Sequence, residues 1–97
     1  MFAVDTLLNH GDTIHLGDVL SKQVENDNRV TYFSAICDGD ESEADRYTVI
    51  KKQVKGAPEN VEFPEKSVVL AFESNKNVSN NVSIYYAVPE SQYGGGD

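Results

Sequence analysis

SVVLAFESNKNVSNNVSIYYAV, residues 67–88, contains two apolar runs separated by a polar, asparagine-rich segment. The runs at 67–72 and 82–88 are rich in β-branched and aromatic residues, which favour strands. The segment 73–81 between them has the length and the chemistry of a turn that joins hairpin strands. The sequence therefore predicts a β-hairpin here, and this hairpin indicates the fold class.

Strand signals continue upstream of this hairpin. Residues 29–37 (RVTYFSAIC) and 47–54 (YTVIKKQV) have the same β-branched and aromatic character. Residues 13–16 lie between Gly11 and Gly17, which predicts a short strand between turns. Residues 2–8 are too few to be assigned from periodicity.

Residues 19–25 have two interpretations, which the sequence leaves open. They could pair with the strand at 29–37 in a second hairpin that turns through 26–28. Alternatively, Asp18 could cap a short helix that carries Leu20 and Val24 on one face.

The predicted fold is all-β, with at most one short helix, as a small single-domain β-barrel or a two-sheet sandwich of five to six strands. Residues 56–66 contain two prolines and are predicted to form a connecting loop that holds Val61 or Phe63 against the core. The domain is expected to span residues 1–90. The glycine-rich segment 91–97 (SQYGGGD) is expected to be a flexible tail.

The charge of the chain is unevenly distributed. Residues 1–45 hold ten acidic and two basic side chains, whereas the remainder holds six of each, so the first part carries the whole net charge of −8. Such a surface repels nucleic acid and anionic membranes and attracts basic protein surfaces. Direct nucleic-acid binding is not expected, because it requires clustered Lys and Arg.

The compartment is predicted from what the chain lacks. No apolar run approaches the roughly 20 residues that cross a bilayer, and the N-terminus has no basic, apolar export signal. A single cysteine, Cys37, cannot form an intramolecular disulfide. We therefore expect a cytoplasmic protein that does not contact membranes.

The densest acidic segment is CDGDESEAD, residues 37–45. Asp38, Asp40 and Ser42 resemble the first ligands of a calcium loop, but the pattern then places Glu43 where glycine is needed and Val49 where a bidentate glutamate is needed. No metal site is predicted. The segment also lacks the apolar residues that would desolvate one carboxylate for acid–base catalysis.

Enzymatic chemistry is not predicted elsewhere in the chain. Cys37 ends an apolar strand and is interpreted as a core or boundary residue. His10 and His15 do not match common zinc spacings, and one cysteine leaves the ligand set short. No nucleotide-binding or hydrolase motif is present, and no cofactor is expected.

The sequence leaves open whether the acids of this segment dock on a partner, hold a divalent cation loosely or are simply solvated. It also leaves two conformations open. In an extended segment, Glu41, Glu43 and Asp45 would line one edge at about the spacing of two base steps of duplex DNA. Alternatively, Ser42 could cap a short helix whose first turn carries Glu43 and Asp45.

Tyrosine is the most frequent aromatic residue, and tyrosine favours interfaces. If Ile84, Tyr86 and Val88 face the core of their strand, alternation predicts that Tyr85 faces outward.

The leading hypothesis is a non-enzymatic binding module that occupies a basic, nucleic-acid-binding surface of another protein. The composition is similar to that of small viral or mobile-element inhibitors and immunity proteins, although no motif supports this analogy. The alternative is a structural protein that assembles through β-rich homo-oligomeric contacts; the sequence does not predict an oligomeric state. The predicted partner-binding residues are Asp38, Asp40, Glu41, Glu43 and Asp45, with Glu25 and Asp27 as a neighbouring contribution from the second hairpin.

Overall fold

A computed structural model describes residues 1–27, 30–55, 61–74 and 81–93. Within these ranges the chain is nearly all β, which confirms the predicted fold class. The strands are β1 (Phe2–Leu7), β2 (Thr13–Leu16), β3 (Val19–Asp27), β4 (Val30–Cys37), β5 (Asp45–Lys55), β6 (Val68–Ser74) and β7 (Asn81–Pro89). There is one strand more than the upper predicted number, because residues 2–7, which periodicity could not assign, form β1.

The strands form two antiparallel sheets, ordered β1-β4-β3 and β2-β5-β7-β6. The hairpin predicted at 67–88 is confirmed as the β6–β7 pair, and its turn at 75–80 lies outside the described residues. β3 and β4 pair from Val19↔Cys37 to Asp27↔Val30, so residues 19–27 form a hairpin strand and the helix alternative is wrong. The strand is favoured because it packs Val19 and Val24 against the core.

The main core lies between the two sheets. From β4 it receives Phe33, Ala35 and Cys37, which are nearly or fully buried, and from the other sheet Val49 and Tyr85. Cys37 is thus a core residue, as predicted. The alternation along β4 leaves every second side chain on the outer face of the three-stranded sheet.

A second, smaller core covers the opposite face of the four-stranded sheet. Ile84, Tyr86 and Val88 of β7 are buried there against Val61 and Phe63. The Phe63 and Tyr86 rings meet edge to face, with centroids 5.1 Å apart. The chain between β5 and β6 therefore packs on β7, which confirms the predicted role of Val61 and Phe63; residues 56–60 lie outside the described residues.

The outward orientation predicted for Tyr85 is wrong. Only 3% of Tyr85 is exposed, because β7 is an inner strand whose two faces are both covered. The Lys51 ammonium lies 5.5 Å from the Tyr85 ring centroid and favours this burial through a cation–π contact.

The C-terminal residues leave β7 through one helical turn, α1 (Glu90–Tyr93). Residues 91–93 of the predicted tail belong to this turn, and 94–97 lie outside the described residues. No described helix is long and apolar enough to span a bilayer.

Candidate functional site

The acidic segment forms a fixed turn between β4 and β5. The Asp38 amide donates to the Asp18 carbonyl over 2.8 Å. The Asp38 Oδ1 accepts from the Gly39 amide at 2.9 Å, and the Asp40 Oδ1 accepts from the Ser42 amide at 3.1 Å. The first two aspartates of the turn therefore use a side-chain oxygen to hold its backbone.

Glu41–Glu43 form one turn of 3₁₀ helix, and its N-cap is Asp40. A short helix therefore forms, as one of the alternatives had it, but its position and cap differ: the Asp40 carboxylate holds the Ser42 amide in place of a Ser42 cap, and Asp45 lies outside the helix, at the start of β5. The extended alternative is wrong. A 3₁₀ helix rises about 2.0 Å per residue, so Glu41 and Glu43 are not spaced like phosphates two base steps apart.

Asp18 belongs to the same part of the surface, although sequence reasoning did not single it out. Gly17 brings the β2–β3 connection against the acidic turn so closely that a Cβ at this position would lie 2.5 Å from the Asp38 carbonyl oxygen. Asp45 lies opposite Leu16 in the β2–β5 pair. We refer to the exposed carboxylates gathered here as the acidic end: Asp18, Asp38, Asp40, Glu41, Glu43 and Asp45.

The charges of the acidic end act on Tyr47. Burial raises the pKa of the Tyr47 phenol above its usual value of 10.0, and the carboxylates of Asp45 and Asp18 raise it further. Arg46 follows Asp45 in the chain, but its guanidinium lies 3.4 Å from a carboxylate oxygen of Glu90. This ion pair is exposed and contributes little to stability. The Glu90 carboxylate does, however, balance the positive charge of Arg46, so this charge does not neutralise Asp45 and the acidic end remains strongly negative.

The structure separates Glu25 and Asp27 from the acidic end. They lie at the far end of β3, where Asp27 pairs with Val30, whereas Cys37 at the other end of β4 leads into the acidic turn. Seven residues of strand correspond to about 24 Å. The prediction that Glu25 and Asp27 lie next to the acidic turn is therefore wrong, and these two acids belong to a different surface.

That second surface is the outer face of the three-stranded sheet. Its central strand, β4, exposes Val30, Tyr32 and Ile36, each about two-fifths exposed. Leu7, 46% exposed, lies opposite Tyr32 on β1. Sequence reasoning did not identify this face, although the alternation in VTYFSAIC contains the signal, because both alternating sets of side chains are largely apolar.

The remaining candidate residues do not converge. His10 Nδ1 accepts a hydrogen bond from the Lys51 amide at 3.1 Å, while His15 lies opposite Arg46, about 17 Å further along β5. Cys37 is buried in the core. Within the described ranges, no three His, Cys, Asp or Glu side chains are arranged to hold a metal ion.

Comparison of the chain with protein-family models, curated proteins and solved structures gives no significant match. The function is therefore inferred from the chemistry of these two surfaces.

Proposed function

We propose that the protein is a non-enzymatic binding module whose acidic end docks on a basic surface of another protein. The supporting observation is the collection of six exposed carboxylates on one end, in a turn held by its own Asp38 and Asp40 side chains. Because the turn is already ordered by these hydrogen bonds, little conformational entropy remains to be lost on binding.

The partner class follows from the charge. Lysine- and arginine-rich surfaces are the natural complement of a strongly negative end, and such surfaces are typical of proteins that bind nucleic acid. A protein docked there would occupy the basic surface electrostatically and so prevent nucleic acid from binding to it. The acids do not repeat at phosphate spacing, so the proposal does not require duplex-like geometry. Its most specific form is a viral or mobile-element inhibitor acting in the host cytoplasm.

The test uses a charge-neutralised triple variant, Glu41→Gln, Glu43→Gln and Asp45→Asn. The matched control, Asp12→Asn, Glu62→Gln and Glu65→Gln, makes the same change in net charge at exposed positions outside the acidic end. The probes are purified basic DNA- and RNA-binding domains, each bound to labelled nucleic acid. Displacement of the nucleic acid and association kinetics are measured at two salt concentrations.

We expect the wild-type chain and the control to displace nucleic acid, and the acidic-end variant to associate more slowly with a weaker salt dependence. The reason is that exposed charges steer encounter over a Debye length of roughly 8 Å at physiological ionic strength. Equal loss in both variants would show that only net charge matters. If the wild-type chain displaced nucleic acid from none of the probes, the inhibitor form of the proposed function would be refuted.

A second function, assembly of β-rich homo-oligomers, is favoured by one observation, the apolar residues exposed on the outer face of the three-stranded sheet. Here the acids would serve only as solvated surface. Oligomeric state, measured by light scattering at low and high salt, separates this function from the first.

A further inference from the structure

We infer that the outer face of the three-stranded sheet is a docking surface for a cationic amphipathic helix of a partner protein. This face is distinct from the acidic end, and its docking role is independent of the function proposed for that end. The arrangement of apolar and charged side chains over the three strands supports this role.

The apolar side chains follow the central strand. Val30, Tyr32 and Ile36 stand on β4, and Leu7 on β1 extends the apolar surface at Tyr32. Exposed sheet faces normally alternate so that polar residues face water. An apolar row along the middle strand is the feature that a partner would cover.

The charged side chains that share this outer face stand on the flanking strands and are all acidic. Asp5 lies on β1, opposite Ser34, while Glu25 and Asp27 lie on β3, opposite Tyr32 and Val30. Lys22 is the only basic residue in the three strands, and its ammonium is directed to the other sheet, where it donates to the carbonyls of Val69 and Leu70. The face is thus an apolar row between two acidic margins.

A shallow depression of about 520 Å³ interrupts the apolar row over Ser34. The small residues Ala3 and Ser21, which lie on either side of the neighbouring Ile36, contribute to this space, and Lys22 and Gln23 of β3 complete its lining. The Ser34 hydroxyl donates to Asp5 Oδ1 at 2.6 Å and so draws this carboxylate towards the centre of the face. One large apolar side chain of a partner can enter here, while a neighbouring lysine or arginine reaches Asp5.

The dimensions match one helix. From Val30 to Ile36 the strand extends about 20 Å, which is the length of about 14 helical residues. β1 and β3 are about 10 Å apart, close to the diameter of a helix. A helix lying along β4 would place its apolar stripe on the apolar row and its lateral Lys and Arg residues over Asp5 and Glu25.

Charge selects this occupant over others. A second copy of the chain would bring the same three carboxylates against Asp5, Glu25 and Asp27, and like charges in an interface are unfavourable. An anionic lipid surface would be repelled for the same reason. A helix with an apolar stripe flanked by basic residues on both sides would cover the apolar row and pair its basic residues with the acids of both margins.

The probe is a synthetic Leu/Lys peptide of about 14 residues with leucines at helical i, i+3, i+4, i+7 spacing, compared with a scrambled peptide of the same composition. The full-length chain should bind the striped peptide at least about tenfold more tightly, since burying one additional leucine contributes roughly that factor. In amide NMR spectra, the largest shifts should fall on Val30–Ile36 rather than on 38–45.

Variants on the face supply the second arm. Tyr32→Ser with Ile36→Ser should abolish the discrimination between the two peptides, and Tyr32→Phe should retain it. Asp5→Asn with Glu25→Gln should weaken binding of both peptides. All of these positions are exposed or half-exposed, and melting temperatures verify that the variants fold.

The acidic-end triple variant distinguishes this inference from the proposed function. It should slow association with either peptide but keep the preference for the striped one. Equal affinity for the two peptides, or a preference that survives the double serine variant, would overturn the inference. So would a wild-type dimer that the double serine variant converts to monomer, because the occupant would then be a second copy.

Discussion

At the scale of single residues, the pKa of Tyr47 responds to the charge of the acidic end. Its ring packs at the border of the main core, and burial together with Asp45 and Asp18 raises the pKa of its phenol. A raised pKa means that the folded chain holds the proton more tightly than the unfolded chain. The resulting contribution to stability is complete below the usual value of 10.0 and is lost as the pH rises through the folded-state pKa.

The Tyr47→Phe variant removes this titration. We expect the wild-type chain to lose more free energy of unfolding than the variant between neutral and strongly alkaline pH, as measured by urea denaturation at each pH. Asp45→Asn, which removes one repelling charge, should give an intermediate loss. Parallel pH profiles for the wild-type chain and Tyr47→Phe would mean that the phenol titrates alike in both states.

At the scale of elements, the two sheets are not hydrogen-bonded to each other along one side of the molecule. The edge strands β3 and β6 face each other there. A groove of about 410 Å³ lies between them, lined by Val19, Leu20, Phe33 and Leu70 among others. β6 carries a bulge between Val69 and Ala71, and it presents two successive carbonyls to the groove. Such edge strands are normally protected against pairing with other chains.

Two side chains bridge this open side. The Lys22 ammonium donates to the carbonyl oxygens of Val69 at 3.2 Å and Leu70 at 3.5 Å. The buried Thr31 hydroxyl lies against a carboxylate oxygen of Glu73 on β6 and 2.6 Å from the Asn26 amide oxygen on β3. A hydroxyl has one proton, so it can donate to only one of these two groups.

Replacing Lys22 with Met should lower the free energy of unfolding by about 1 kcal/mol, the net contribution of a hydrogen bond, because the two carbonyls lose their charged donor. The aliphatic stem is retained, which separates the effect from packing. Lys52→Met, at an exposed position on β5, is the matched control and should change stability by less than about 0.5 kcal/mol. Equal effects of the two substitutions in urea denaturation would contradict a bridging role.

At the scale of the whole molecule, negative charge occupies two separate surfaces. The acidic end lies beyond the Cys37 end of β4, and the outer sheet face carries Asp5, Glu25 and Asp27 on its margins. Both surfaces repel a second copy of the chain. The apolar row on β4 is the feature that favours self-association.

We therefore expect light scattering to give the mass of a single chain at low salt and also at about 1 M salt, where the Debye length falls to roughly 3 Å. A monomer at both concentrations supports partner binding. A homo-oligomer that persists at high salt would instead support the assembly function, since apolar contacts survive screening. The Tyr32→Ser, Ile36→Ser variant then shows whether the outer face makes that contact.

Local sequence determined most of the strands. Alternating and β-branched runs predicted β4 to β7 and the short β2, because strand preference reflects local side-chain chemistry. For the acidic segment the sequence left an extended and a helical conformation open, and the helical turn forms at Glu41–Glu43 with Asp40 as its cap, whereas the helical alternative had Ser42 as cap and Glu43 and Asp45 in its first turn. The continuous apolar run SIYYAV is also typical of a strand buried on both faces. The outward orientation of Tyr85 was predicted on the assumption that one face of this strand is exposed to solvent.

Tertiary structure alone decided which acids share a surface. Asp18 joins Asp38 because Gly17 permits close approach of two connections, and no local pattern encodes such a contact. Glu25 and Asp27 were predicted beside the acidic turn, but antiparallel pairing with β4 carries them to the opposite end of the sheet. Composition therefore determined that the chain is acidic and β-rich. Strand order and register determined that its charge forms two surfaces, because they set the distances between residues remote in sequence.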